Sequence, residues 1–383
     1  MATSECPTRD SHCVTMLIDI LLILAVAYFL LISLFALAAF TARYPTDKTY
    51  RPKVSILIAA RDEENNIGSC LESCERLSYP VDRLEVIVID DRSTDATQAI
   101  IRGFADRLPH FKLVVAAPGR GKLQGKTNAV TQGIDHASGE ILLFTDADCS
   151  VPPRWVEETV KYYISEDVGV VAGFTYLEGV GWFSCFQATD WFTLFTVASA
   201  GSRVGVPLTA VGTNLSVRRQ AYDDVGGYRE IPFSVTEDYA LFHAVVSTKR
   251  YRARFPMDRG ALVESKSCDT WGQLYRQKKR WFAGGIGMEL KIVLGFGVAY
   301  VLSALLIVTP FFAWSSVYWL ALLLKLAADF FLTLPSFSRF GKWKLLPCWP
   351  IFQIYFFLYV LLYPPIVFFR KDVIWKDRRL RNQ

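Results

Sequence analysis

One nearly unbroken apolar run, Met16 to Phe40, constrains this chain more than any other stretch. It exceeds the roughly 20 residues that cross the hydrocarbon core of a bilayer. It is also too long for the apolar centre of a cleavable signal, and Arg43 with the basic residues after it suits a retained anchor. Three more apolar runs lie near the other end, at 292–314, 317–334 and 346–369. Each is about one bilayer long. From about Thr41 to Leu290 the chain is polar, with short apolar strands. The predicted organisation is an anchor (1–41), a soluble domain (42–290), a C-terminal membrane cluster (291–370) and a basic tail (371–383).

Of the 383 residues, 52% are hydrophobic, enough for one sizeable soluble domain plus several membrane helices. Charge orients the chain. Arg43, Lys48, Arg51 and Lys53 follow the first run, while the N-terminal stub mixes Glu5, Arg9 and Asp10. The bias of positive residues towards the inner side predicts an integral, multi-pass protein with its soluble domain in the cytoplasm. The C-terminal side raises a parity conflict. Arg339, Lys342 and Lys344 precede the last run; Arg370, Lys371, Lys376, Arg378, Arg379 and Arg381 follow it. Either the run re-enters, broken at Pro364-Pro365, or the charge rule fails there. The formal net charge of +5 does not point to nucleic acid, because the basic residues cluster beside the apolar runs, where anionic lipid headgroups attract them. The eight cysteines show no metal-type pairing and read as free, buried thiols.

Within the polar block, Val54 to Ala60, Leu84 to Asp90, Lys112 to Ala116 and Ile141 to Phe144 are near-continuous apolar strands. Helical stretches separate them, from the Arg61–Asn65 region to about Leu77, near 127–136 and near 153–165. That alternation predicts a doubly wound α/β domain on a mainly parallel sheet. Ligands of such sheets sit beyond the carboxyl ends of the strands. Asp90-Asp91 and Asp146-Ala147-Asp148 both fall at such ends.

Four clusters then stand in a fixed order. Asp90 and Asp91 offer acceptors to a base N–H and to ribose hydroxyls; the plain alternative is solvated acids beside a helix cap at Ser93. Asp146 and Asp148 suit a hard cation such as Mg²⁺ or Mn²⁺, bound through carboxylates plus substrate phosphates; the alternative is an ordinary turn. Thr236-Glu237-Asp238 precedes an apolar helix and offers a base, or simply acids at a helix N-terminus. Gln277-Lys278-Lys279-Arg280-Trp281 puts Gln277 and Arg280 on one helical face. Arg280 offers a fork to phosphate oxygens and Trp281 a stacking surface; a membrane-flanking anchor is the alternative.

This order resembles membrane-bound family 2 glycosyltransferases of the GT-A fold, with the Asp-x-Asp and Gln-x-x-Arg-Trp signatures, over about Lys53 to Trp281. The resemblance implies a Rossmann-like α/β catalytic domain carrying N- and C-terminal transmembrane helices. It implies an inverting transfer from a nucleotide-sugar, a UDP-sugar, to a hydroxyl of a membrane-associated lipid or glycan. Asp238, with Glu237, becomes the base, and Gln277, Arg280 and Trp281 complete the catalytic set. Arg61, Glu63, Asp90, Asp91, Lys126, Asp146, Gly212, Thr213 and Asn214 become donor-site residues, and Asp148 with Asp146 the ligands of Mg²⁺ or Mn²⁺. A processive polysaccharide synthase shares the Gln-x-x-Arg-Trp signature and stays second, because its channel calls for more spans and polar lining. A nucleotide-binding scaffold or transporter is the non-enzymatic reading. An aromatic stripe, Trp182, Phe183, Phe186, Trp191, Phe192 and Phe195, reads as core, with the bilayer surface as its other possible neighbour. Lys325 and Asp329, inside an apolar run, read as a mutually satisfied pair.

Overall fold

The apolar strands expected at 54–60 and 84–90 form with those bounds in the computed structural model, which describes residues 9–119, 121–284, 290–369, 373–375 and 378–380. The first half runs α1 (Arg9–Phe40), β1 (Val54–Ala60), α2 (Ile67–Glu75), β2 (Leu84–Asp90), α3 (Thr97–Arg107), β3 (Phe111–Val115), α4 (Gly125–Asp135), β4 (Ile141–Asp146) and α5 (Trp155–Val160). Then come β5 (Val168–Ala172), β6 (Thr175–Glu178), α6 (Gly181–Arg203), β7 (Leu215–Arg218), α7 (Arg219–Asp224), α8 (Gly227–Glu230) and α9 (Glu237–Ser247). The chain continues through β8 (Arg252–Arg254), β9 (Val263–Lys266), α10 (Trp271–Gly284), α11 (Leu290–Val308), α12 (Ser316–Phe340) and α13 (Trp349–Phe369). A hairpin of β10 (Val373–Trp375) and β11 (Arg378–Leu380) follows.

Seven strands make the main sheet in the order β3-β2-β1-β4-β7-β5-β8. The first four are mutually parallel; β7 runs against both β4 and β5. Alternation along each strand divides the interior into two layers. Ile56, Ile58, Val86 and Val88 face the layer with α2 and α5. Leu57, Ile87 and Ile89 face the layer with α4, α6 and α9. Each such side chain contributes roughly 1.5–3 kcal/mol by leaving water.

Three described helical spans, Val14–Phe40, Ser316–Phe340 and Trp343–Ile366, are long and apolar enough to cross a membrane. Leu21, Leu302 and Tyr318 share one buried cluster that ties α1, α11 and α12 together. Across that bundle the Tyr28 hydroxyl donates to Asp329 at 2.6 Å, and Lys325 pairs with Asp329 at 2.6 Å. The charges inside the apolar run are therefore mutually satisfied, as expected. The helix α12 outruns its predicted end, because Phe337 and Phe340 leave the bundle and join the core of the α/β domain. There the ring of Phe340 lies 4.8 Å from that of Phe174.

One open alternative loses its break and one expectation changes. The helix α13 continues through Pro364 and Pro365, so of the two readings left open for the last run, a helix broken at the proline pair is not what forms; neighbouring helices let membrane-type helices tolerate such residues. Cys185 and Cys348 are not free thiols but a disulfide, with Cα atoms 6.0 Å apart. The fold brings the first turn of α6 to the head of α13, which nothing local in the sequence signals. Cys70, Cys74, Cys149 and Cys268 are free. Glu5, Arg370, Lys371, Lys376 and Arg381, used above to orient the chain, lie outside the described residues.

Candidate active site

The site begins at the carboxyl ends of three adjacent strands. Ala60 on β1 pairs with Asp90 on β2, and Ala59 pairs with Asp146 on β4. Two acidic ends therefore stand level on either side of β1, about 10 Å apart at two strand spacings. Asp91 is buried, and its backbone oxygen accepts from Arg61 at 2.7 Å. Its carboxylate meets Arg92 at 3.2 Å. Asp90 turns inward to accept the Ser93 N–H at 3.1 Å, so it closes the turn that presents Asp91. Asp62 adopts φ 50°, a conformation that Asp and Asn tolerate best among side-chain-bearing residues. Its carboxylate accepts from the Thr94 N–H at 2.8 Å and braces the Arg61 loop against that turn. Glu63 accepts from Asn66 at 2.7 Å.

Lys126 is the hub. Its ammonium lies 2.6 Å from Asp146 and 2.8 Å from Glu237, joining β4 to the head of α9. Asp238 is held by two backbone donors, Gly212 N–H at 2.6 Å and Tyr239 N–H at 2.8 Å. A β-carbon on Gly212 would stand 3.3 Å from the Asp238 carboxylate and 3.5 Å from the lysine nitrogen, so a glycine suits this approach. Burial, then the neighbouring Glu237 charge, pushes the Asp238 carboxyl up to about 6, against the pull of Lys126 and the two N–H groups. Asp148 is likewise pushed up to about 6, by burial and by Asp146 and Glu63.

Packing brings the last cluster in. A β-carbon on Gly284 would collide with Thr236, so the end of α10 lies directly against the residue that opens α9. Trp281 rests against Trp191 with ring centres 5.3 Å apart. Lys278 is buried, paired with Asp190 of α6 and stacked over Trp281 at 4.3 Å. The Gln277 side-chain oxygen is buried with no hydrogen-bond partner among the described residues. Arg280 is half-buried and has no ion-pair partner among them.

Direct contacts thus join Lys126, Asp146, Gly212, Glu237 and Asp238, with Asp91 and Arg61 at the next strand end and α10 packed on Thr236. Thr213 and Asn214 differ from the rest. The Thr213 hydroxyl meets that of Thr175 at 2.8 Å. Asn214 accepts from the Trp155 indole at 2.9 Å and donates to Phe174 and Ala261 oxygens at 2.8 Å. Both side chains brace the loop from inside, and Gly212 is the part of it that touches the cluster. Asp190 and Lys278 were not singled out from sequence; the signal was a lone acid inside the aromatic stripe. Replacing Asp190 by Ala strands a buried ammonium and is expected to cost about 3–5 kcal/mol. Urea melts check it: Asp190→Leu with Lys278→Met should recover much of the loss, and equal melts for wild type and Asp190→Ala would remove the pair from this role.

Among the described residues no three His, Cys, Asp or Glu side chains are grouped to hold an ion by themselves. The donor set at the end of β4 is two carboxylates, which fits Mg²⁺ or Mn²⁺ completed by substrate phosphates. Asp148 is the better placed, because Lys126 already neutralises Asp146.

The sequence pattern described as Glycosyl transferase family 2 matches residues 55–226, and that of Glycosyl transferase family group 2 matches 141–369, more than half the chain. The chain belongs to glycosyltransferase family 2. The chain is 29% identical over 272 residues to a probable glycosyltransferase, YdaM, of Bacillus subtilis, covering 64% of this chain and 58% of that one. It is 29% identical over 241 residues to a beta-monoglucosyldiacylglycerol synthase of Synechocystis, covering 61% and 48%. The chain therefore spans about half the length of these curated relatives. Its fold is that of the mannosyltransferase PcManGT from Pyrobaculum calidifontis, solved with GDP-Man and Mn²⁺, with a TM-score of 0.59, 22% identity, and 88% and 98% of the two chains covered. That likeness agrees with the GT-A architecture expected from the motifs.

Proposed function

We propose that this glycosyltransferase moves a sugar from a nucleotide-sugar, a UDP-sugar, to a hydroxyl of a membrane lipid, inverting the anomeric centre. One observation carries the reading: the half-buried carboxylate of Asp238, held by two N–H groups and joined through Lys126 and the buried Glu237 to the acidic end of β4. Inversion by in-line attack needs one base and no covalent intermediate. Asp238 takes the acceptor hydroxyl proton as the oxygen bonds to the anomeric carbon. The bond from that carbon to the diphosphate breaks on the opposite side, and Arg280 with Lys126 meets the growing charge. Asp91 and Arg61 hold the nucleotide, and Trp281 backs the sugar or acceptor. Asp148 and Asp146 would hold the divalent cation, which neutralises diphosphate charge when bound. The apolar bundle of α1, α11 and α12 would fix this site at the cytoplasmic face of a bilayer, the side favoured by Arg43, Lys48, Arg51 and Lys53. The name of the Synechocystis relative supports a lipid acceptor.

Product analysis tests the reading. Protein incubated with native membrane lipids, Mn²⁺ and labelled UDP-sugars, with GDP-mannose in parallel, should yield one added sugar in the organic-solvent extract. A high-mass aqueous product would establish a polymerase instead. No labelled product from any donor would leave the binding-scaffold reading.

A further inference from the structure

The helix α6 meets the ends of three apolar helices in turn. Ala200 packs on Ala38 and Ala39 of α1. Phe192 meets Phe337 and Phe340 of α12, with ring centres 6.3 and 5.5 Å apart. Phe186 meets Tyr355 of α13 at 4.8 Å, and Cys185 is bonded to Cys348 at the head of α13. A helix laid across three such ends lies at one depth, that of the bundle's inner surface. Its first turn continues at this depth past α13. There the burial of the aromatic stripe ends: Phe186, Trp191, Phe192 and Phe195 are core, whereas Trp182 is 54% exposed. Beside it Val180 is 99% exposed and Trp271, opening α10, is 56% exposed.

These side chains form a joined lip. Trp182 stacks on Phe186 at 6.0 Å, Phe186 on Trp271 at 5.7 Å, and the two indoles lie 6.3 Å apart. Gln187 clasps the two halves through the Cys268 N–H at 3.0 Å and the Cys268 oxygen at 3.1 Å. The lip also adjoins the site: Lys266 donates to Asn66 at 2.6 Å, Asn66 holds Glu63, and α10 itself carries Gln277 and Arg280. A contiguous exposed apolar patch marks an interaction surface. Indoles, apolar in body with one polar N–H, favour the boundary between headgroups and acyl chains. Its continuity with α13 through Phe186 and Tyr355 selects the bilayer as the occupant.

We infer that Val180, Trp182 and Trp271 dip into the headgroup–acyl boundary and hold the mouth of the active site against the lipid surface. This rests on the lipid-acceptor reading only in what the lip is for; its position is measured without turnover. The probe is the full chain in nanodiscs of phosphatidylcholine and phosphatidylglycerol, with or without bromine on the acyl chains near the headgroups. The fluorescence lost in the W182F/W271F variant is the lip's own signal. Bromolipid should quench that difference signal by at least about two-fold. Val180→Asp, at a site that touches no core, should weaken the quenching by a similar factor. A difference signal indifferent to bromolipid, or quenching unchanged by Val180→Asp, would overturn the inference and turn the lip over to a protein partner. Failure to glycosylate any lipid, with the quenching intact, would refute the lipid-acceptor reading and leave the lip in the bilayer.

Discussion

Asp238→Asn is expected to lower kcat by about 10²–10⁴-fold while nucleotide-sugar affinity stays within about two-fold, because the amide keeps the shape and loses the proton acceptor. The backbone donors at Gly212 and Tyr239 hold the side chain by its oxygens, so the substitution also costs one of those bonds. The pH profile gives a second readout. The carboxyl is pushed up to about 6, chiefly by burial and next by Glu237. Only the charged form accepts a proton, so kcat/KM should fall about ten-fold per unit below pH 6 and level off above it. Turnover with saturating Mn²⁺ across pH 4.5–8 checks the limb. Undiminished kcat in the variant, or a flat profile through pH 5, would end the assignment.

Removing divalent metal should stop transfer almost completely. A cation that neutralises leaving diphosphate is worth several kcal/mol, about 10³-fold at 1.36 kcal/mol per decade. Protein dialysed against EDTA, then titrated with Mn²⁺ and Mg²⁺, gives the measurement. Geometry adds a ranking within the pair. Asp146 is already neutralised by Lys126 at 2.6 Å, whereas Asp148 lies among Asp146 and Glu63, whose charges raise its pKa. Asp148→Asn should therefore raise the metal concentration needed for half-maximal rate more than Asp146→Asn does. Full turnover in metal-free buffer would refute the requirement, and the reverse ranking would reassign the ligand.

The part of the site legible in the sequence is the part that ends a strand. Leu84 to Asp90 and Ile141 to Asp146 are apolar on both faces and stop at an acid, so chemistry and strand termination coincide in one local pattern. The cluster at Lys126 was legible only as separate residues, since its contacts with Asp146 and Glu237 cross long stretches of chain. Asn214 shows the converse: its neighbourhood in sequence suggested a ligand contact, and the contacts that could not be read there are those of its amide with Trp155, Phe174 and Ala261. Asp190 and Lys278 were hidden because each sits among residues that explain themselves, an aromatic helix and a basic motif. The Cys185–Cys348 bond has no local signature at a separation of 163 residues. The aromatic stripe was read as a single surface, but the end of the bundle divides it between core and lip.

The seating of Phe337 and Phe340 against Phe174 and Phe192 bears on how the protein is born. Vectorial synthesis delivers nearly all of the catalytic domain before the ribosome has made the helix that plugs it. Until then an aromatic socket stays open to water, so completion of that core waits on the arrival of α12. A fragment ending near residue 284 would carry every proposed catalytic side chain and still be left with that socket unfilled.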